Sequence, residues 1–336
     1  MTARVTVVGA GVAGLSCAVR LAESGLEVNV LARELPRETT SAAAPALWLP
    51  HATEPRHETG RWAADTLAEL RRLARDGDAG GPGGHGVRLL PGTLLAGRPA
   101  ERPEWAGLPG LDVRTVADPA PGHALGLRAE LPVVDMPRYL DHLVARLVAA
   151  GGTLTRMPLT ALPTRGLVVH CSGVAARALA PDPQVRAVRG QSVLVEDPGL
   201  AEWWWDESGG DLTYVVPRGR DVVIGGTRDD GDWNPAPDPD TARLLLERAR
   251  HLVPELAGAR VLGHRVGLRP ARPAVRVEVE ARPTPDDAGH VRVHCYGHGG
   301  DGVTLAWGSA GTVTAAVTRL LAASAPPEPA LDRSNG

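Results

Sequence analysis

Lysine and phenylalanine are absent from this sequence of 336 residues, so all 36 positions counted as lysine or arginine are arginine. This bias fits GC-rich coding and favours a bacterial origin. The three cysteines are Cys17, Cys171 and Cys295, an odd number without a Cys-x-x-Cys pair. That pattern argues against a disulfide framework and against a zinc site, so we expect buried thiols and no bound metal.

Further absences concern partners and location. No apolar run approaches the roughly 20 residues of a transmembrane helix, so no membrane span is predicted. The net charge of −3 lacks the basic excess of a nucleic-acid-binding protein. An apolar segment already begins at Val5, which leaves no space for a signal peptide, so we expect a cytoplasmic protein.

The amino-terminal residues read as a strand (5–8), a glycine turn, a helix (15–24) closed by Gly25, and a second strand (28–31). The turn has the pattern Gly9-x-Gly11-x-x-Gly14. Its first glycine permits the tight turn, the second lets the backbone approach a pyrophosphate, and the third lets the helix pack close to the strand. We therefore predict a dinucleotide-binding fold.

The identity of the dinucleotide is less certain from this segment alone. Arg33 stands where a ribose-binding acid is usual, and Glu34 follows it. Because an arginine here suits the 2′-phosphate of NADP, a nicotinamide-dependent dehydrogenase stays open as an alternative.

The rest of the chain alternates between two patterns, and its length predicts two domains or one domain with a large insertion. No strand–helix alternation can be followed through residues 48–130. A helix is predicted at 137–150, followed by strands at 153–155 and 167–170. Alternating strands at 192–195, 212–216 and 221–225 predict antiparallel sheet, interrupted by a helix at 241–252. A strand at 291–295 and a helix at 303–322 complete the pattern.

Four separated segments carry a shared set of motifs. They are residues 7–16 with 39–48, residues 171–174 (Cys-Ser-Gly-Val) with 189–191, residues 212–217 with 225–228, and residues 267–273 with 296–304. These segments and their spacing resemble the D-amino acid oxidase and D-aspartate oxidase family over nearly the whole chain. The resemblance implies an FAD-dependent oxidase that acts on a small molecule and molecular oxygen, and it leaves both a monomer and a homodimer open.

The resemblance also implies an α/β fold, with a Rossmann-like FAD-binding domain and a substrate-binding domain built on a mixed, largely antiparallel sheet. The FAD-binding domain would comprise residues 1–50, 131–185 and 281–324. The substrate-binding domain would comprise residues 51–130 and 186–280, and residues 325–336 would form a flexible tail. The FAD contacts implied by position are Gly9, Ala10, Gly11, Val12, Ala13, Gly14, Arg33, Glu34, Thr39, Thr40, Ser41, Leu47, Trp48, Leu159, Ser172, Gly299, Gly300, Asp301, Gly302, Val303 and Thr304.

For the substrate, the resemblance implies that Arg269 binds the α-carboxylate, that Tyr214 adds a hydrogen bond, and that the Gly300 backbone meets the amino group. A guanidinium binds a carboxylate through two hydrogen bonds and stays charged, which suits this role. The reaction would be hydride transfer from the α-carbon to flavin N5, giving a 2-oxo acid, ammonia and hydrogen peroxide. No side chain is expected to act as acid or base, because the protein mainly positions the substrate.

The substrate side chain is predicted from two charged residues. Arg228 resembles the D-aspartate branch, where an arginine at this position helps to bind a side-chain carboxylate. Glu207 stands where that branch carries a second arginine, and its charge would repel an acidic substrate. We therefore expect neutral or basic D-amino acids, with Arg228 paired to Glu207 or Asp229. The alternatives are a D-aspartate oxidase, a glycine or sarcosine oxidase, and a flavoprotein that has lost catalysis.

Overall fold

The computed structural model describes residues 3–51, 53–77, 84–96, 102–281 and 290–323, and the predicted flexible tail lies outside them. The helices are α1 (Val12–Glu23), α2 (Thr40–Ala43), α3 (Arg56–Arg75), α4 (Met136–Ala149), α5 (Ala176–Leu179), α6 (Pro239–Leu252) and α7 (Gly302–Ala323). The strands are β1 (Arg4–Val8), β2 (Glu27–Ala32), β3 (Val87–Ala96), β4 (Arg114–Ala120), β5 (His123–Val134), β6 (Thr153–Arg156), β7 (Gly166–His170), β8 (Arg186–Glu196), β9 (Trp203–Asp206), β10 (Thr213–Pro217), β11 (Asp221–Gly225), β12 (Asp229–Asp230), β13 (Val261–Ala281) and β14 (His290–His298).

One part of the sheet is parallel and has the order β14-β7-β1-β2-β6. Strands β1 and β7 supply fully buried valines because helices cover the sheet. Helix α1 packs against α4 and α7, and α3 also packs against α7. This part has the doubly wound arrangement that the glycine turn predicts, and the predicted α/β class is confirmed.

The second part of the sheet has the order β4-β5-β3-β9-β10-β11-β8-β13, and its strand pairs are antiparallel except β3 with β9. Strand β13 pairs with β8 along its first half and with β14 along its second half. The long strand β13 therefore joins the two parts into one continuous sheet, while the division into domains stays a prediction.

Helix α3 was not predicted, because residues 48–130 showed no readable pattern of elements. The helix is amphipathic, and its buried face includes Trp62, Thr66 and Leu70. It crosses α7 closely at Gly308, where a Cβ would lie 2.2 Å from the Trp62 Cα. The missing side chain at Gly308 thus permits the close approach of the two helices.

The other predicted helices and strands agree with the structure to within about three residues at their ends, except that β8 begins at Arg186, six residues before the predicted start at 192. Gly25 follows α1 with φ of 85°, as expected of a glycine that ends a helix. The cysteines are free and buried, as predicted. No helix in the described part of the chain has the length and apolar character needed to cross a membrane.

Candidate active site

A large cavity opens where the parallel strands β1, β7 and β14 end. Its volume is about 700 Å³, and its wall extends from the Gly9 turn to Tyr214 on β10 and Arg269 on β13. Ligands of doubly wound sheets bind at the carboxyl ends of the strands. The cavity therefore has a nucleotide end at the glycine turn and a second end against the antiparallel sheet.

The glycine turn lines the nucleotide end of the cavity. A side chain at Gly9 or at Gly14 would collide with backbone, so the turn needs glycine at both positions. Gly9 has φ of 113°, and a Cβ there would lie 2.4 Å from the Cys171 carbonyl oxygen. A Cβ at Gly14 would lie 2.0 Å from the Gly9 carbonyl oxygen. Helix α1 begins directly after Gly11, and the Val12 N–H donates to Ser41 Oγ at 3.0 Å. The helix amino terminus thus faces the cavity, an arrangement that suits a pyrophosphate.

Replacing Gly14 by alanine is expected to weaken binding of FAD, the cofactor that the resemblance implies, by about tenfold or more. It should also destabilise the fold by about 1 to 3 kcal/mol, because the added methyl forces α1 away from β1. Titration of flavin-free protein with FAD and a thermal melt would measure both effects. The control is Gly311→Ala in α7, where a Cβ meets nothing within 4 Å, and where alanine should stabilise the helix by about 0.5 to 1 kcal/mol. Wild-type FAD affinity in the Gly14 variant would contradict the assigned turn.

A line of hydrogen bonds runs from the cavity wall into the sheet. Ser172 Oγ lies 2.6 Å from His170 Nε2, the two Nδ1 atoms of His170 and His294 are 3.1 Å apart, and His294 Nε2 lies 2.8 Å from Glu280 Oε2. Both imidazoles are fully buried. Burial lowers the pKa of His170 to about 3 and also lowers the pKa of His294, so both rings are neutral near pH 7.

These contacts fix the direction of every hydrogen bond in the line. An ionised Glu280 can only accept, so His294 donates from Nε2 and accepts at Nδ1 from His170. His170 then accepts at Nε2 from the Ser172 hydroxyl. Ser172 consequently presents oxygen lone pairs to the cavity, which suits a sugar hydroxyl of a nucleotide better than a phosphate oxygen.

Most predicted cofactor contacts lie on the cavity wall. They are Gly9, Ala10, Gly11, Val12, Ala13, Arg33, Glu34, Thr39, Thr40, Ser41, Leu159, Ser172, Gly299, Gly300, Asp301, Gly302 and Val303. Four others do not line it: Gly14, Leu47, Trp48 and Thr304. Trp48 was expected to contact FAD, but its side chain is fully buried and donates from Nε1 to the Ala63 carbonyl at 3.1 Å. Leu47 is also buried and pairs with Val133 in an isolated bridge.

Arg269 differs from the other arginines of the cavity in its partners. Three arginines line the wall among the described residues, and Arg33 and Arg228 each pair with a glutamate. Arg269 has no carboxylate within 4.0 Å in the described part of the chain and donates only to carbonyls, including Thr227 O at 2.9 Å. Burial lowers its pKa, which means that the cation lacks full solvation. Such a guanidinium is suited to an anionic ligand.

Two glycines provide the space for this end of the cavity. A Cβ at Gly190 would lie 2.3 Å from the Arg269 guanidinium, and a Cβ at Gly225 would lie 2.2 Å from the Tyr214 hydroxyl. Tyr214 is 2% exposed, and Trp205 stacks on its ring with centroids 5.0 Å apart. The ring position of Tyr214 is therefore fixed by packing on both sides.

A charged network covers the cavity near Tyr214. Glu207 Oε1 accepts from Arg228 Nη2 at 2.6 Å and from Trp205 Nε1 at 2.7 Å, and lies 3.5 Å from His51 Nε2. The expected pairing of Arg228 with Glu207 is thus confirmed. His51 Nδ1 in turn lies 2.7 Å from Asp301 Oδ1, just before α7 begins.

The network holds its members in their charged forms. Burial lowers the pKa of His51, but the hydrogen bond to Asp301 and the nearby carboxylate of Glu207 outweigh this effect and raise it to about 9. Burial raises the pKa of Glu207, but the contacts with His51 and Trp205 outweigh it and lower the pKa to about 2. The cation of His51 therefore lies between two carboxylates near pH 7.

The contribution of His51 to folding stability is expected to depend on pH. Because its folded-state pKa of about 9 exceeds the ordinary histidine value of 6.5, the stabilisation is complete below about pH 6.5 and is lost as the pH rises through about 9. The stability advantage of the wild type over His51→Asn should shrink between about pH 6 and about pH 10 in thermal melts. His57→Asn, which replaces an exposed imidazole on α3, controls for the loss of a histidine. An advantage that is constant with pH would show that His51 is not held as a cation.

His51 and Thr53 both line the cavity and hydrogen-bond Asp301, and neither was predicted from the sequence. Their contact with Asp301 joins residues 248 to 250 positions apart. No local motif signals this pairing. The one hint was a histidine placed directly after the apolar residues 45–50.

Comparison with known proteins places this site in a family. Residues 4–316 match the DAO family, described as FAD dependent oxidoreductase. The chain is 46% identical to a D-amino-acid oxidase of Rubrobacter xylanophilus, over 92% of this chain and 94% of that protein. It is 37% identical to a D-aspartate oxidase of Homo sapiens, over 92% of this chain and 93% of that protein.

The fold is shared more widely than the sequence. The structure superposes on glycine oxidase from Bacillus cereus with a TM-score of 0.76 and 19% identity, covering 95% of this chain and 96% of that chain. The family match shows that the nicotinamide alternative was wrong. Arg33 instead pairs with Glu34, with Nη2 and Oε1 2.6 Å apart. The family match agrees with the glycine turn, with the amino terminus of α1 at the cavity and with the motifs of the sequence. The chain therefore belongs to the DAO family of FAD-dependent oxidoreductases, and FAD is its cofactor.

Proposed function

We propose that this protein oxidises D-amino acids with neutral or basic side chains to 2-oxo acids, releasing ammonia and hydrogen peroxide. The observation that carries the proposal is Arg269, a partly buried guanidinium in the cavity without a carboxylate partner among the described residues. The relative named D-amino-acid oxidase supports the same assignment.

Arg269 and Tyr214 would bind the two oxygens of the α-carboxylate. The guanidinium offers a planar pair of donors, and the Tyr214 hydroxyl lies in the same wall. Burial raises the pKa of Tyr214, so its phenol stays protonated and can donate. These contacts would hold the substrate in one orientation, which is the main contribution that a hydride transfer needs from the protein.

FAD, when bound, accepts the hydride and passes the electrons to oxygen. The residues implied for it are those of the glycine turn, the Thr39 to Ser41 segment, Ser172 and the turn before α7. Gly300 would offer its backbone to the substrate amino group. The family resemblance carries the D configuration of the substrate.

The charged network sets the proposed preference for the side chain. Arg228 could bind an acidic side chain, but Glu207 already occupies its guanidinium at 2.6 Å. A substrate carboxylate would have to approach Glu207 and displace that contact, which opposes acidic substrates. A cationic side chain would instead be attracted by the same carboxylate.

Rates of hydrogen peroxide formation from single amino acids would test the proposal. We expect kcat/KM for D-methionine and D-arginine to exceed that for D-aspartate by more than about tenfold. A higher value on D-aspartate would instead support the second candidate, a D-aspartate oxidase, to which the human relative and Arg228 point. Glycine turned over as fast as D-methionine would indicate a glycine oxidase.

A further inference from the structure

The three cysteines of the chain meet at one point although they are far apart in sequence. Cys17 lies on α1, Cys171 follows β7, and Cys295 lies on β14. Their sulfur atoms all lie within 4.8 Å of one another. The thiols are free and buried, and Cys17 contacts both of the others through its sulfur. No metal site was predicted from the sequence, because the local spacing of the cysteines does not show that they meet in the fold.

The three sulfur atoms lie close enough together to be ligands of one metal ion. An ion about 2.3 Å from each of three sulfurs places those sulfurs about 4.0 Å apart. The upper limit of 4.8 Å accommodates this triangle with small side-chain adjustments. Hard cations such as Mg²⁺ prefer oxygen ligands, whereas thiolates select soft ions.

We propose that Cys17, Cys171 and Cys295 form a binding site for one soft, thiolate-seeking metal ion. The described residues add no fourth His, Cys, Asp or Glu ligand to the three sulfurs, which favours an ion that accepts trigonal coordination, such as Cu⁺ or Cd²⁺, over the four-coordinate Zn²⁺.

The position of the site gives it an entry path and a link to the nucleotide end. Cys171, Cys295 and His298 line the large cavity, so an ion can reach the thiols through it. A Cβ at Gly9 would touch the Cys171 carbonyl, and a Cβ at Gly14 would lie 3.3 Å from the Cys171 side chain. The triangle therefore lies directly behind the glycine turn, and a bound FAD should slow the entry of the ion.

Cd²⁺ is the probe for this site, added to the FAD-loaded protein and to the same protein stripped of flavin. We expect one Cd²⁺ per chain by native mass spectrometry, with ultraviolet sulfur-to-metal charge-transfer absorption that a large excess of Mg²⁺ does not remove. Cys17→Ala and Cys295→Ser should each weaken binding by about tenfold or more. Ser16→Ala, a neighbouring fully buried position on α1, should bind as the wild type does.

Thermal melts would confirm that each variant is folded. Two cysteine positions are tested so that, if one variant does not fold, the other still tests the site. Absence of stoichiometric Cd²⁺ binding in both forms of the protein would overturn the proposal. Binding that the two cysteine substitutions leave unchanged, or that Mg²⁺ displaces, would also overturn it and leave the thiols as core packing. None of these outcomes depends on the substrate, so they are independent of the proposed function.

Discussion

Replacing Arg269 by alanine is expected to lower kcat/KM for a D-amino acid by about 30-fold or more, equivalent to about 2 to 5 kcal/mol of lost transition-state binding. The reason is that this guanidinium has no carboxylate partner among the described residues, so a substrate carboxylate would be its main counter-charge. The kcat/KM of Arg269→Lys should lie between those of the wild type and Arg269→Ala, because lysine keeps the charge but loses the paired donors. Steady-state rates on D-methionine would measure the effect.

The matched control is Arg265→Ala on the same strand. Arg265 is exposed and donates to the His264 carbonyl, so its loss should leave kcat/KM within about twofold of the wild type. The flavin spectrum of each variant would show that FAD is still bound. An Arg269→Ala enzyme with wild-type kcat/KM would remove Arg269 from the substrate site.

Glu207→Gln is expected to shift the preference towards acidic substrates. The ratio of kcat/KM on D-aspartate to kcat/KM on D-alanine should rise by about tenfold or more, because the change frees the cavity residue Arg228 from a negatively charged partner. Glutamine still offers an oxygen to the Trp205 Nε1 donor, so the packing of Trp205 on Tyr214 should survive.

Glu202→Gln serves as the control for this second substitution. Glu202 precedes β9 and pairs with Arg128, and its side-chain exposure of 33% is close to the 36% of Glu207. Its partner Arg128 does not line the cavity, whereas the Glu207 partner Arg228 does, so the loss of Glu202 should leave the ratio of the two substrates unchanged. Equal changes for both substrates in Glu207→Gln would show that Glu207 does not select the side chain.

Local sequence patterns predicted the nucleotide end of the site. Gly9, Gly11 and Gly14 each meet a steric demand of one short turn, and such demands are readable without knowledge of distant contacts. The boundaries of α4 and β11 were also readable, because a helical or alternating pattern continues to their ends.

Local sequence patterns did not predict the features that depend on residues distant in the sequence. His51 gains its role from Asp301, 250 positions away, and Trp48 was placed beside the flavin although it packs against Ala63 and Trp105. The cysteine triangle likewise arises where three separate elements meet. Helix α3 is a different case, since the period of Trp62, Thr66 and Leu70 was present but the surrounding glycine- and proline-rich segments obscured it.

The central claim is that a D-amino acid reduces the bound flavin, and the most direct measurement is the visible spectrum of the FAD-loaded protein without oxygen. Addition of D-alanine should bleach the flavin band near about 450 nm, whereas L-alanine should leave it unchanged. Bleaching by both enantiomers, or by neither D-alanine nor D-methionine, would contradict the proposed D-amino acid oxidase activity.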